Sequence, residues 1–533
     1  MDSDPRSPEP RPDPTARQPA KANAASRRPS SANWWLARFL FLRLLGLIYG
    51  FAFLSLANDV LPLLGSEGLL PAEHYSRWII ERIGSPWQAL SKSPSLFHLT
   101  VTDGLLQGLA WLGVALSALV LFGFANVPIL ASLWALYFSY VSVGQRWFQF
   151  GWESQLLETG LLAVFLVPLL DPRPLPRRHP PPRVIIWLAW WLIFRIMVGA
   201  GLIKLRGDPC WLELTCLDVH FETQPVPGPL SRWFHELPAV VLHGGVLMNH
   251  LIELIVPFFL VGPRRLRHLA GLSMIGFQLI LIASGNLSFL NWLTLLPCLL
   301  CFDDEFLGRW LPRSLAQRAR ERSANPLRLH RVGGIAIALY TLLVIGLSLP
   351  VVDNLMSNSQ AMNRSFQALR IVNTYGAFGS VGNTRWEIVI EGSEDQQLVP
   401  DSQWQEYHFK CKPGPVERRP CWITPYHYRL DWLAWFAGLE AARGQGLRRE
   451  GWLPHLIWKL LQGDELALQL LDGNPFPHSP PHWIRVQRYT YQFAPSENDQ
   501  GLWWQRQLVG PHLPPMSTDD PALLSYLEQN GFF

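Results

Sequence analysis

Several signatures of chemistry are missing from this 533-residue chain. No Gly-Lys-Ser/Thr closes a glycine loop, and no glycine fingerprint sits between a strand and a helix. Both common ways of cradling nucleotide phosphates are therefore absent. No H-E-x-x-H sets two histidines and a glutamate on one helix face, so zinc-protease chemistry lacks its ligands, and no metal or cofactor is expected. No G-x-S-x-G elbow or S-x-x-K set stands in a strand-turn-helix context, so the chain itself is not expected to hydrolyse lipids. No basic stripe interleaved with aromatics runs along it, so the formal charge of +4 is not a nucleic-acid footprint. No cleavable signal precedes the first apolar run, which reads as an uncleaved signal anchor.

Apolar surface is abundant instead: 49% hydrophobic residues, 25 Trp and 28 Phe, with a mean hydropathy of +0.11. That exceeds what an ordinary soluble enzyme needs. A helix crosses the ~30 Å hydrocarbon layer with roughly 20 apolar residues. Nine stretches qualify as candidates: 35–57, 104–124, 127–143, 154–170, 184–204, 240–261, 269–284, 287–301 and 333–352. For one or two of the short or closely spaced ones, a re-entrant or interfacial course is the alternative.

Charge gives an independent reading, because Lys and Arg gather in short cytoplasmic loops. With a cytosolic N-terminus, the inside segments hold Arg27, Arg28, Arg38 and Arg43; then Arg173, Arg177, Arg178 and Arg183; then Arg264, Arg265 and Arg267. The last inside loop carries seven arginines between Arg309 and Arg331. The outside loops are much poorer. An odd number of spans leaves everything after about Asp353 outside, in the ER lumen of a eukaryote or the periplasm of a bacterium.

The expected architecture is a polytopic helical membrane protein with a C-terminal extramembrane α+β domain. Residues 1–32, rich in Pro, Ser and charge, form a disordered cytosolic tail; residues 33–352 are the membrane part and 353–533 the outside domain. In that domain 385–391, 406–411 and 488–493 alternate like strands, and 431–442 has helical spacing. Residues 457–471 read as two short helices broken at Gly463. An antiparallel sheet carrying helices on one face follows.

Six cysteines bear on compartment. Cys210, Cys216, Cys411 and Cys421 fall outside, where disulfides persist. Two local bridges are favoured, with cross-pairing between loop and domain as the alternative. Cys298 and Cys301, ending an apolar run in PCLLC, read as small buried hydrophobes, not as a redox pair. Glu153 and Glu158 flanking the fourth span, Arg195 and Lys204 in the fifth and Glu253 in the sixth are ionisable and so of interest. Lys204 stands at the outer edge of its span, where snorkelling to the interface is the first reading and a buried pair with Glu153 or Glu253 the second. His243 and His250 share a helix face without completing a metal site.

The stretch YGAFGSVGNTRWEIVIEGSED, residues 375–395, leads from the last apolar run into a strand. It reads as a turn-rich hairpin in which Gly376, Gly379 and Gly382 supply positive φ, with Tyr375, Gly376, Phe378 and Gly379 as its signature.

Together with EYHFKCKPGPVERRPCWITPYHYRLDWLAWFAG, FGWESQLLETG, GAGLIKLRGDPCWLELTCLDVHFETQPVPGPLSRWFH and SGNLSFLNW, this stretch resembles the lipase maturation factor family from the first span nearly to the C-terminus. The resemblance implies a multi-pass ER membrane protein, chaperone-like and not enzymatic, whose lumenal domain helps homodimeric lipases reach their assembled form. The Pro- and Arg-rich N-terminus would suit a bacterial member, placed in the plasma membrane. The client is then a lipase or another exported hydrolase. Trp422, Tyr426, Tyr428 and Trp432 are the candidate client contacts, since large aromatics anchor protein interfaces. A fainter likeness of AGLIKLRGDPCW to the membrane region of vitamin K-dependent carboxylases offers an alternative, an integral-membrane enzyme with Lys204 as base.

Overall fold

The computed structural model describes residues 33–176, 179–324, 330–443, 451–497 and 500–532. The tail expected at 1–32 lies outside the described residues. Six described helices are long and apolar enough to cross a membrane: Trp35–Leu64, Asp103–Phe122, Arg183–Gly207, Ala239–Val261, Arg264–Ser284 and Arg331–Met356. The other three expected spans are the shorter helices Val127–Val143, Gly151–Val164 and Leu290–Leu299, of 17, 14 and 10 residues. At 1.5 Å per residue, ten residues rise only about 15 Å, half the hydrocarbon layer. The expected count of nine spans is thus not carried by the structure; six helices meet the requirement. Gly151–Val164 shows how a short helix survives here, since Trp152 through Gly160 are all buried and its neighbours are protein. Its backbone needs no lipid-matched length.

The Ala239–Val261 segment is not one regular helix. An α-helix runs to His250, a π-helical turn covers Leu251–Ile255, and a tight 3-10 stretch follows over Val256–Val261. Pro257, with no N–H to give, stands at the start of that last stretch. The widened turn turns Glu253 inward, and such bulges often mark functional positions.

Contacts gather the connecting loops at two ends of the bundle. At one end Arg38 donates to the carbonyls of Leu166 and His179 at 3.1 and 2.7 Å, and Asp304 accepts from the Leu36 N–H. At the other end the C-terminal residues meet the loops: His455 reaches Leu69, and the Asn286 amide accepts from the N–H groups of Ile423 and Thr424.

The C-terminal sheet has strands β1 (Arg385–Ser393), β2 (Gln405–Tyr407), β3 (Trp483–Phe493) and β4 (Trp504–Met516), antiparallel in the order β2-β1-β3-β4. β1 and β3 pair from Arg385 opposite Tyr491 to Ser393 opposite Trp483. The stretch 406–411 pairs with β1 only as far as Tyr407; Phe409 then bridges to Leu471, and Asp431 captures the N–H groups of Cys411 and Lys412 at 2.6 and 2.8 Å. β4 was not apparent from pattern: it holds Pro511, Pro514 and Pro515, tolerated because it is an edge strand with shifted register. Helix Arg429–Ala442 packs on β1. Trp452–Leu461 and Glu465–Leu468 are separated at Gly463, whose φ of 67° is the left-handed value glycine allows.

Candidate functional site

The stretch from Tyr375 is not the hairpin its glycines suggested. None of Gly376, Gly379 and Gly382 has positive φ; the left-handed residue is Phe378, at φ 52°. The glycines are there for close approach. A Cβ on Gly376 would strike Met362, and helix Arg183–Gly207 comes so near that a Cβ on Gly207 would run into the Gly379 carbonyl. The segment therefore lies along a membrane helix, and Tyr375 inserts its hydroxyl into the bundle to donate to Glu158 at 2.7 Å.

Glu158 is the centre of a buried cluster. It pairs with Arg195 and accepts from the Asn373 N–H and side-chain amide at 3.1 and 3.0 Å, while Arg195 donates to the Asn373 carbonyl at 2.8 Å. A charge pair taken out of water needs its other donors and acceptors met; the chain after the last long helix supplies four such bonds through Asn373 and Tyr375, and Arg195 Nε is left without a partner among the described residues.

A second cluster fastens the sheet domain. Arg429, at the start of its helix and fully buried, donates to Glu153 at 2.8 Å and to the Trp147 carbonyl at 2.7 Å. Glu153 also accepts from Tyr137 and from the Trp152 indole at 3.0 Å. Beside it, His427 meets Ser288 at 3.0 Å, and its pKa is held well below the usual imidazole range by burial, then by Arg429. On β1, Arg385 donates to the carbonyls of Glu222 and Pro225 at 2.8 and 3.0 Å and pairs with Glu387, which also holds the buried Lys412. Burial lowers the Lys412 pKa, against the pull of Glu387.

Lys204 does not snorkel. It is buried, and its Nζ donates to both oxygens of Glu253 at 2.7 and 2.8 Å and to Asn249 at 2.9 Å, 4.9 Å from the Trp211 ring centroid. The interface escape fails because the Cys210–Cys216 loop closes over that end of the helix. Cys210 joins Cys216 and Cys411 joins Cys421, with Cα separations of 4.8 and 5.7 Å, while Cys298 and Cys301 are free and buried. His243 faces Asp218 at 3.5 Å and His250 meets the Trp211 carbonyl at 3.0 Å. Among the described residues no group of three or more His, Cys, Asp or Glu can hold a metal ion.

The candidate client contacts divide. Trp422 is 51% exposed, and Tyr426 and Tyr428 are half-buried and touch one another. Trp432 is buried, its ring 4.7 Å from Trp152, so it holds the domain to the bundle and is no client contact. Asn286 is buried and is the acceptor for the 423–424 backbone, a role no local pattern signals. The Arg429 and Arg385 anchors were missed too. The available signal was an Arg and an Asp opening an apolar aromatic helix in RLDWLAWF, where charge has no place unless paired.

Residues 36–309 match a family described as the lipase maturation factor transmembrane domain, and residues 371–514 one described as the lipase maturation factor C-terminal domain. Lipase maturation factor 1 of Mus musculus is 46% identical over 95% of this chain and 91% of its own length. Lipase maturation factor 1 of Homo sapiens is 43% identical over 97% and 94%, and lipase maturation factor 2 of Homo sapiens 30% identical over 93% and 85%. No solved structure matches. The likeness runs through both the helical bundle and the sheet docked on it, and the chain belongs to the lipase maturation factor family.

Proposed function

We propose that this chain is an integral membrane maturation factor for lipases, chaperone-like and without catalysis of its own. Its working parts are taken as residues 33–352 in the membrane and 353–533 outside, in the ER lumen or, for a bacterial host, the periplasm. The N-terminus then faces the cytosol, in keeping with the arginine-rich end of the bundle. The observation that carries the reading is the buried clamp of Arg429 on Glu153. It fixes a sheet domain against the membrane, so that an emerging client meets one constant surface. Trp422, Leu508 and Val509 are exposed on that domain, the last two on edge strand β4, which suits contact with an assembling partner. Two disulfides brace the loops around it. The Lys204 base reading gains nothing from the geometry, since Nζ is wholly engaged as a donor to Glu253 and Asn249.

The test is co-expression with a homodimeric lipase, measuring secreted lipase activity and co-purification in mild detergent. The full chain is expected to raise active lipase severalfold and retain it. Truncation after Asp353 removes both effects, and because truncation also strips the clamp, Trp422→Ser and Leu508→Asp form the second arm. Well-folded surface variants that mature the lipase as fully as the parent would refute the assigned contact surface; a full chain without effect on the lipase would refute the function.

A further inference from the structure

Where the helices Arg183–Gly207, Arg264–Ser284 and Leu290–Leu299 meet the sheet domain they enclose a cavity of about 500 Å³. Sites for small molecules run roughly 300–1,000 Å³, mostly apolar with a few converging polar groups. The inner wall follows that description. Ile196, Met197, Ala200 and Phe277 line it from the bundle, and Trp432 and Trp435 close it from the domain. Its mouth is open, at Gln149, Asn363 and Phe436, which are exposed.

Four side chains in this wall carry a buried polar atom with no partner among the described residues: Gln155 and Asn291 on the bundle side, and Trp432 at Nε1 and Glu440 at Oε2 on the domain side. Gln155 is fully buried and donates through Nε2 to Thr294 Oγ1 at 2.9 Å, but its Oε1 has no hydrogen-bond partner among the described residues. Asn291, 4% exposed, likewise has an unpartnered Nδ2. Buried polar groups are nearly always satisfied, so an acceptor and a donor lining one cavity point to a ligand that offers the complement of both. A hydroxyl does. The charges in the wall disfavour an anion near the bundle: Glu253 is matched by Lys204, and Glu440 at the domain end has a buried Oε2 without a partner among the described residues. An anionic head drawn down to Gln155 would be buried without a counter-charge.

We infer that this cavity binds a neutral, hydroxylated single-chain lipid of the monoacylglycerol class, with the head between Gln155 and Asn291 and the chain along the apolar wall. The placement suits an amphiphile, since the cavity lies at the end of the bundle nearest the domain and is walled by both. The bound lipid ties the two together. This assignment does not depend on the identity of any client protein.

The experiment uses the purified full chain in mild detergent and a 1-oleoylglycerol probe carrying a diazirine in its acyl chain, with cross-links mapped by peptide mass spectrometry. Cross-links are expected in peptides spanning 196–200 and 291–294, competed by excess monooleoylglycerol and at least tenfold less well by oleate. Ala200→Trp, which fills the cavity, should cut labelling at least tenfold, and Gln155→Leu should weaken competition by monooleoylglycerol about tenfold. Undiminished labelling in a monodisperse Ala200→Trp protein, or labelling spread over the outward face of Arg331–Met356, would overturn the site. If Ala200→Trp does not fold, Gln155→Leu decides, and unchanged competition overturns the proposal. Oleate competing as well as monooleoylglycerol overturns the neutral-head assignment.

Discussion

Arginine is used differently at the two ends of the bundle. At the end away from the sheet domain, Arg173 pairs with Asp171 two residues away and Arg264 with Asp303, and these guanidinium side chains are 65% and 42% exposed. At the domain end, Arg195, Arg385 and Arg429 are each at most 1% exposed, and every one bonds to residues distant in the chain. Exposure, not distance along the chain, separates these sets: Arg264 and Asp303 lie 39 residues apart, and the far end has its own buried long-range arginine in Arg38, on the carbonyls of Leu166 and His179. Counting arginines therefore does not tell which ones hold the molecule together; only their burial and partners do.

The contrast is broken most directly at Arg429. Removing one partner of a buried ion pair strands the other and costs about 3–5 kcal/mol. Arg429→Ala should accordingly lower the unfolding temperature sharply in detergent, read by tryptophan fluorescence, and loosen the domain to proteolysis. The double variant Glu153→Leu, Arg429→Leu should be less damaging than the sum of its single changes, because no charge is left unmatched. Strict additivity would mean that the two side chains do not act as a pair.

Cysteine sharpens the same contrast. Cys411→Ser opens the loop that carries the Asp431 contacts, and a disulfide of this kind contributes about 2–4 kcal/mol. Cys298→Ser should cost less than about 1 kcal/mol, since that thiol is small and its one bond, to the Thr294 carbonyl at 3.2 Å, is one a hydroxyl can make. Unfolding with and without reductant checks both. A reversed order would restore the redox reading of PCLLC.

Much of this layout was legible in sequence. Long apolar runs, the strands at 385–391 and 488–493, the break at Gly463 and the burial of Cys298 and Cys301 all depend on local periodicity or composition, which the chain displays openly. The long-range pairs were hidden. Nothing local distinguishes Lys204 reaching the interface from Lys204 turned in toward Glu253, because a π-helical turn in another segment decides it. Glycines 376 and 379 looked like turn residues for the same reason: close approach to a distant helix leaves the same residue type as a positive φ. Trp432 was miscast because burial of an aromatic depends on what docks against it, here Trp152. β4 escaped because prolines obscure a strand whose pairing is supplied by one neighbour only.

Acid should weaken the fold through its buried imidazoles at both ends, since burial holds His179 beside Arg38 down to about 4 as well. His220 and His455 are held down to about 4 by burial, and His427 well below its usual range. An unfolded imidazole titrates near 6.5, so below that pH the unfolded chain takes up protons the folded one refuses. Stability is then full above about pH 6.5 and is lost as pH falls from there toward the folded pKa values. One pH unit below the unfolded value corresponds to about 1.4 kcal/mol for each such histidine. Unfolding temperatures at pH 7.5 and 5.5 measure it, and His427→Phe should flatten part of the slope. A flat profile would mean that these rings are solvated, and that the domain sits less tightly than the buried arginines indicate.

The smallest effect belongs to Arg173. Its partner lies in the same turn and the guanidinium is mostly in water, where an ion pair gains little Coulomb energy and is screened by salt. Arg173→Ala should leave the unfolding temperature unchanged within error at both low and high ionic strength, under conditions in which Arg429→Ala unfolds. Were the two variants to behave alike, exposure would not be what separates an arginine that holds the fold, such as Arg429 or Arg38, from one that does not.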